Sequence, residues 1–482
     1  MRVRKTGDFV VAGFVFLCLS GCGRPDPELP VPLTYPVRSD WLVVNVPSAG
    51  GQPTRFQEPG YPLLQQLNRP AGSLVGDELL LVAQINKSIF NTDKVEFDVR
   101  DELGRVLTTH FGTPRKPVVP DPAAVIDRMK YHSKLEEKRI QRAEVYNQIR
   151  LAQGKKNSHQ FKQELDNLQL TAEKLREEMD GLNARIDCLN AYINELKLDP
   201  ERLARGGSIY RSYCMQCHGL TGDGNGPGGK YLLPLPRDYR SGLFKFINTD
   251  PGLGTKRKPL RHDLHHTIIH GLPGSPMPSF AGLTERDVES VTSYVIHLSI
   301  RGEAEFDALK IAANPNSDGL SAKEVEDEIV KGAANAIYLW YTSAHAPIVP
   351  EENPYTTPDK IEESAANGYK LFMSAEIGCT TCHANFGRGA PYQFDSWGSV
   401  VRPRNLTVST LRGGHSQQAI YARIFGGIPG SNMPAHMQFR PNLEEKVKGI
   451  NKIWDLVHFV QFVSASEYRK ILKDKYQIEI EP

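Results

Sequence analysis

Cys214-Met215-Gln216-Cys217-His218 and Cys379-Thr380-Thr381-Cys382-His383 are two copies of one pattern, Cys-x-x-Cys-His, in a chain of 482 residues. A zinc site would need two further ligands at matching spacing, and neither half of the chain supplies a second Cys pair or a His-x3-5-His close by. A redox dithiol would not need the histidine and would sit in a βαβ pattern, which is absent. The pattern is the attachment signature of c-type haem. Two thiols form thioethers with one edge of a rigid macrocycle, and the adjacent histidine ligates the iron from one side. The candidate attachment residues are Cys214, Cys217 and His218, then Cys379, Cys382 and His383, for two covalently bound haem c groups.

A second axial ligand is expected for each iron, and methionine is the soft ligand that raises the potential of His-ligated haem. Met277 follows Gly271-Leu272-Pro273-Gly274-Ser275-Pro276, and Met433 follows Gly426-Gly427-Ile428-Pro429-Gly430-Ser431-Asn432. Stretches so rich in Gly and Pro cannot stay helical and suit a loop carrying sulfur across the far face of the ring. The His-to-Met separations are 59 and 50 residues, so the two modules are of similar length. Met437 and His436 are local competitors of Met433. His262, His265, His266 and His270 read as surface or haem-edge residues rather than ligands.

The flanking sequence predicts helices. Leu203 to Tyr213, with Gly206, Gly207 and Tyr210, precedes the first motif. Thr284 and Asp287 open a capped helix running through Val291, Tyr294, Val295 and Leu298. Gly368, Tyr369 and Phe372 precede the second motif, and a helix from about Leu443 to Ser464 carries Trp454, Val457, His458 and Phe462. Small residues on each first helix would let the last helix cross it closely.

With these features, residues of about 200–300 and 363–466 resemble the class I cytochrome c fold, in which terminal helices cross and enclose one haem. Gly222-Asp223-Gly224-Asn225-Gly226-Pro227 and Leu235-Pro236-Arg237-Asp238-Tyr239 are similar to bacterial mono- and di-haem members, as is Arg402-Pro403-Arg404-Asn405-Leu406-Thr407 in the second module. The resemblance implies that a proline-segment carbonyl, at Pro234 or Pro236 and at Pro403, fixes the ligating histidine. The second module departs in having Ala384 where the first has Gly219.

The remainder of the chain has its own signals. Arg2, Arg4 and Lys5, an apolar core from Phe9 to Leu19, and Leu19-Ser20-Gly21-Cys22 resemble a bacterial lipoprotein signal over 1–22, leaving Cys22 lipidated. No other stretch approaches the length of a membrane span. Export to the periplasmic side of a bacterial membrane follows as an expectation. Of seven cysteines, only Cys188 is left once the motifs, Cys18 and Cys22 are assigned, so no internal disulfide is expected. Residues 23–120 read as β-rich or extended, with strand candidates at Trp41–Val46, Leu79–Ile85, Val95–Val99 and Val106–Phe111. In 121–199, Leu168, Leu175, Leu182, Leu189 and Leu196 recur every seven residues, predicting a coiled-coil hairpin, with coiled-coil self-association as the rival. Cytochrome c domains are expected at 200–300 and 363–470. The connector at 301–362 is acidic; over 301–366 it has five Lys/Arg against thirteen Asp/Glu, and it reads equally as a packed element or a solvated spacer. It holds one helix candidate, about Ala322 to Tyr341. A net charge of +2 gives no support for nucleic-acid binding.

The expected fold class is mainly α, with a small N-terminal β-containing region. The expected role is a membrane-anchored di-haem carrier of single electrons, not an enzyme, because a six-coordinate iron leaves little room for substrate. Its partners would be a terminal oxidase, a quinol-oxidising complex or a periplasmic dehydrogenase, and the arrangement is similar to di-haem subunits feeding haem–copper oxidases. A di-haem peroxidase or thiosulfate-oxidising cytochrome is the alternative. A structural lipoprotein organising a redox complex is compatible with the carrier role.

Overall fold

The computed structural model describes residues 33–39, 42–43, 89–90, 92–120, 131–153, 159–232, 234–314, 320–375, 377–390, 393–397, 400–408, 410–431 and 433–481. The chain divides into Met1–Thr34 and Tyr35–Pro482, and every helix and strand among the described residues belongs to the second unit. The signal segment and the strand candidate at 79–85 lie outside the described residues.

The described chain is mainly helical. Strand is confined to two antiparallel pairs, β1 (Leu42–Val43) with β2 (Ile89–Phe90) and β3 (Gln393–Phe394) with β4 (Val400–Val401). The expected strands at 95–99 and 106–111 are overturned: helix α1 spans Phe97–Phe111. Val99, Leu103, Val106 and Leu107 fall four, three and one apart and are all buried. The β-branched residues therefore form part of a helical stripe. Burial against α7 (Glu285–Ala312) and α8 (Val325–Ala344) overrides their local strand propensity.

Helices α2 (Tyr131–Gln153) and α3 (His159–Glu195) pack along one another as a hairpin. Leu135, Ile149, Ala172 and Leu175 are buried, and Lys138 pairs with Glu178 at 2.7 Å. The leucine face of α3 also serves the body of the protein, since Met179 and Leu182 pack on the first hydrophobic cluster. Leu196 lies beyond the helix end and is buried in that same cluster. The side chain of Cys188 is outside the described residues.

In the first module, Asp199 accepts from Arg202 N (2.9 Å) and Pro200 occupies the first turn, starting α4 (Pro200–Tyr213). The motif turn α5 (Met215–His218), α6 (Arg261–His270) and α7 (Glu285–Ala312) follow. Thr284 caps α7, its side chain accepting from Asp287 N. The second module has α9 (Pro358–Met373), α10 (Cys379–Cys382), α11 (Gln417–Gly426), α12 (Leu443–Val447), α13 (Lys452–Ser464) and α14 (Ser466–Tyr476). The helix expected over 443–464 is thus two, broken at Gly449, which sits at φ 66°.

In each module a helix ahead of the motif crosses one beyond the methionine loop at backbone contact, α4 on α7 and α9 on α13. A Cβ on Gly206 would lie 2.1 Å from Ser290 O, and one on Gly368 would lie 2.0 Å from Asp455 O. Two separate hydrophobic clusters form around these crossings.

The 301–362 stretch is not a solvated spacer. Helix α7 continues past residue 300 to Ala312, and α8 (Val325–Ala344) packs on α7, α1 and α3. Val325, Ile329, Ala333, Ile337 and Trp340 are buried. Part of the acidity is internal as well. Glu303 takes Lys258 Nζ at 2.5 Å, and Glu305 takes Arg301 at 3.0 Å, all four side chains being buried. Carboxylates paired inside in this way are invisible to a count of charges along the chain.

Gly206→Ala and Gly368→Ala should each cost on the order of 2 kcal/mol. Gly181, on α3 with nothing within 4 Å of its would-be Cβ, should instead gain about 0.5–1 kcal/mol on changing to Ala. Urea unfolding midpoints read both. Burial, helped by the Arg301 charge, holds the His297 imidazole down to about 3, from an ordinary 6.5. Between those values the unfolded chain binds the extra proton, so stability is full above about pH 6.5 and declines as pH falls toward 3. Neither His297 ring nitrogen has a hydrogen-bond partner among the described residues. His297→Phe should therefore leave stability at pH 7 unchanged or higher and flatten the acid decline, measured as denaturant midpoints from about pH 4 to 7.

Candidate haem-binding sites

Both motifs are single tight turns. In the first, His218 N donates to Cys214 O at 2.9 Å, and in the second His383 N donates to Cys379 O at 2.8 Å. Each turn places two thiols and an imidazole on one short arc, and the four cysteines are unbridged. Burial pushes the Cys214 thiol up to about 12, aided by Cys217, and raises Cys379. Both thiols are thus protonated at neutral pH.

The two imidazoles are held identically. His218 Nδ1 lies 3.1 Å from Arg237 O, and His383 Nδ1 lies 3.1 Å from Arg404 O. Burial lowers His218 to about 4 and lowers His383, so both rings are neutral at pH 7. A neutral ring donating from Nδ1 keeps the Nε2 lone pair for a metal. The anchoring carbonyl is one residue later than expected: Arg237, not Pro234 or Pro236, and Arg404, not Pro403. The proline fixes the bend, and the next peptide aims at the ring. Glycines permit this approach, since a Cβ on Gly224 would lie 2.5 Å from Pro236 O and one on Gly387 would lie 2.1 Å from Arg404 O.

Around the first site, Tyr210 Oη donates to Gly219 O (2.8 Å), and Tyr239 stacks on His218 with ring centroids 4.9 Å apart. Phe372 flanks His383 at 6.3 Å. Replacing Gly219 by Ala384 displaces the left-handed backbone rather than removing it. Gly219 sits at φ 73°, whereas after His383 the positive φ values fall on Asn385 (49°), Phe386 (57°) and Gly387 (91°). A phenylalanine in that region is strained and is held by burial against Phe372 and Phe459.

The methionine loops match bond for bond. Helix α6 ends at Gly271 (φ 65°) and α11 at Gly427 (φ 65°). Leu272 N donates to Met277 O and Ile428 N to Met433 O, both at 3.1 Å. Ser275 Oγ donates to Leu272 O (2.8 Å) and accepts from Met277 N (3.3 Å). Ser431 Oγ donates to Ile428 O (2.7 Å) and accepts from Met433 N (3.2 Å). The signal was available in the sequence as a shared frame, Gly-x-Pro-Gly-Ser-x-Met-Pro. Among the competitors, Met437 is exposed and His436 stacks on Phe439. His262, His266 and His270 line the outside of α6, and His265 pairs with Glu285 at 2.9 Å.

Residues 201–295 match the family described as cytochrome C oxidase, cbb3-type, subunit III. No curated protein matches the chain. Among solved structures, a chain of the Kuenenia stuttgartiensis reducing HAO-like protein complex Kustc0457/Kustc0458 is similar over 54% of this chain and 96% of its own, at 22% identity and a TM-score of 0.38. The matched stretch is a cytochrome c domain, and such domains carry covalently bound haem c for electron transfer. The chain's own groups fit that cofactor: two thiols on one turn, beside a neutral buried imidazole whose Nδ1 is already occupied. No helix among the described residues is long and apolar enough to cross a membrane.

Ser275→Ala and Ser431→Ala should each destabilise the protein by about 1 kcal/mol, and by equal amounts, because each serine closes the same two bonds. Paired urea titrations read this.

Proposed function

We propose that the chain is a di-haem c-type cytochrome that passes single electrons between redox proteins and is not itself an enzyme. The observation that carries this reading is the duplication. The second module repeats the histidine anchor at the same 3.1 Å and the methionine loop bond for bond, though the family match covers only the first. In this reading Cys214, Cys217, Cys379 and Cys382 hold the haems by thioethers. His218 and Met277 ligate one iron, and His383 and Met433 the other. When bound, haem c supplies an iron that cycles between ferric and ferrous states. The protein's part is to keep each imidazole oriented through Arg237 O or Arg404 O, to keep each methionine loop closed by its serine, and to exclude water.

The lipoprotein-like signal ending at Cys22 supports export and anchoring to a bacterial membrane, facing the periplasm. The oxidase subunit named in the family description supports a terminal oxidase as electron acceptor, with a quinol-oxidising complex or periplasmic dehydrogenase as donor. The heptad leucines of α3 support a coiled-coil arm.

The test is haem content and ligation of the exported protein. The expected results are two covalent haems per chain by mass, and one in a Cys379→Ser/Cys382→Ser variant. A sulfur-to-iron charge-transfer band should be present, with roughly half lost in Met277→His and half in Met433→His. One haem in the unaltered chain would overturn the di-haem reading. Rapid carbon monoxide binding at either centre would favour a di-haem peroxidase or thiosulfate-oxidising enzyme.

A further inference from the structure

The two modules meet through the very segments that hold their candidate ligands. Arg237, whose carbonyl orients His218, lays its guanidinium over the indole of Trp397 in the second module, 3.4 Å from the ring centroid. Trp397 Nε1 donates to Asp238 O at 3.1 Å, the next peptide of the same anchor. The six-membered ring of the indole bears on the Met433 loop. A Cβ on Gly430 would lie 2.3 Å from the Trp397 ring, and Ser396 N donates to Gly430 O at 2.8 Å. Asp395 fixes this turn by accepting from Trp397 N (3.0 Å) and from Lys245 Nζ of the first module (2.9 Å). Trp397 and Asp395 are both buried.

The relation is reciprocal. Gly274 occupies, in the Met277 loop, the place of Gly430. Its carbonyl accepts from Arg412 Nε at 3.3 Å, and its would-be Cβ lies 3.4 Å from the guanidinium of Arg404, the residue that anchors His383.

We propose that Trp397 is a positioning residue that couples the two haem centres, by joining the anchor of His218 to the loop of Met433 through one indole. The inference rests on the di-haem reading above. A cation–π stack, a hydrogen bond and a glycine contact on one rigid ring transmit displacement. A change of ligation at Met433 moves Gly430, the indole follows, and the Arg237–Asp238 peptide shifts the hydrogen bond to His218 Nδ1. That bond sets imidazole basicity and hence the potential at the first centre.

The test is a double-mutant cycle on the full-length, haem-loaded protein. The four proteins are the unaltered chain, Met433→His, Trp397→Leu and the double variant. The readout is the midpoint potential of the first haem alone, followed by the methyl resonance of Met277 in the reduced state, which is identified by its loss in Met277→His. Met433→His should displace that midpoint in the unaltered background, and Trp397→Leu should cut the displacement by at least half. Trp397→Phe, which keeps a ring but loses the bond to Asp238 O, should give an intermediate value and serves where the leucine variant folds poorly. An equal displacement with and without Trp397, or none with Trp397 present, overturns the coupling. A chain carrying one haem by mass would bring down the di-haem reading and the coupling together, and mass alone distinguishes that outcome.

Discussion

A histidine can serve as a fixed metal ligand only if its proton stays on one nitrogen and its ring cannot swing. Both demands are met here by one interaction used twice, an imidazole Nδ1 set 3.1 Å from a main-chain carbonyl. Much of the surrounding structure serves that contact. The carbonyl of Arg237 or Arg404 reaches the ring because a proline bends the chain just before it and a glycine vacates the space opposite. Burial then removes the competing charged state, as the lowered His218 and His383 show. Without the carbonyl, burial alone would leave an unpaired donor, a costly state in an apolar pocket.

The duplication shows which features the architecture demands and which it tolerates. A glycine at the helix crossing, a glycine closing the helix before each methionine loop and a serine bridging that loop occur in both modules, and each does the same geometric work. The residue after the motif histidine is different. Gly219 becomes Ala384, and the left-handed turn moves to Asn385 and Phe386, with Gly387 taking the close approach. What is preserved is the return of the chain to the segment that carries the anchoring carbonyl.

Local chemistry made the haem motifs, the methionine loops and the crossing glycines legible in the sequence, because each is written in consecutive or helically spaced residues. Non-local packing hid the rest. Val99 and Val106 read as strand because β-branched residues favour it, and only burial under α7 and α8 makes them helical. Glu303 reads as part of an acidic spacer because its partner Lys258 is 45 residues away and meets it only in space, and although Arg301 stands four residues before Glu305, the burial of that pair is not written in the sequence. The anchoring carbonyls of Arg237 and Arg404 belong to the backbone and leave no side-chain signature. Trp397 gave no signal at all, since its role is defined by Arg237 and Asp238, some 160 residues away.

The join between modules is polar, and this has a physical consequence. The two hydrophobic clusters are separate, so the modules are not fused by a shared apolar core. They are registered by directional bonds. Arg257 donates to Gly426 O, Arg423 to Ile247 O, Arg412 to Gly274 O, and Lys245 pairs with Asp395. Burial lowers Lys245, so much of what the pair gains is offset by desolvation, and such contacts contribute less net stability than an apolar interface of equal size. They excel at fixing register, because an arginine slid by one residue loses its carbonyl. An apolar interface would hold the modules together while allowing them to slip. On the proposed di-haem reading, the separation and ligand strength of the two centres would decide how electrons pass, and fixed register would be worth more than additional adhesion.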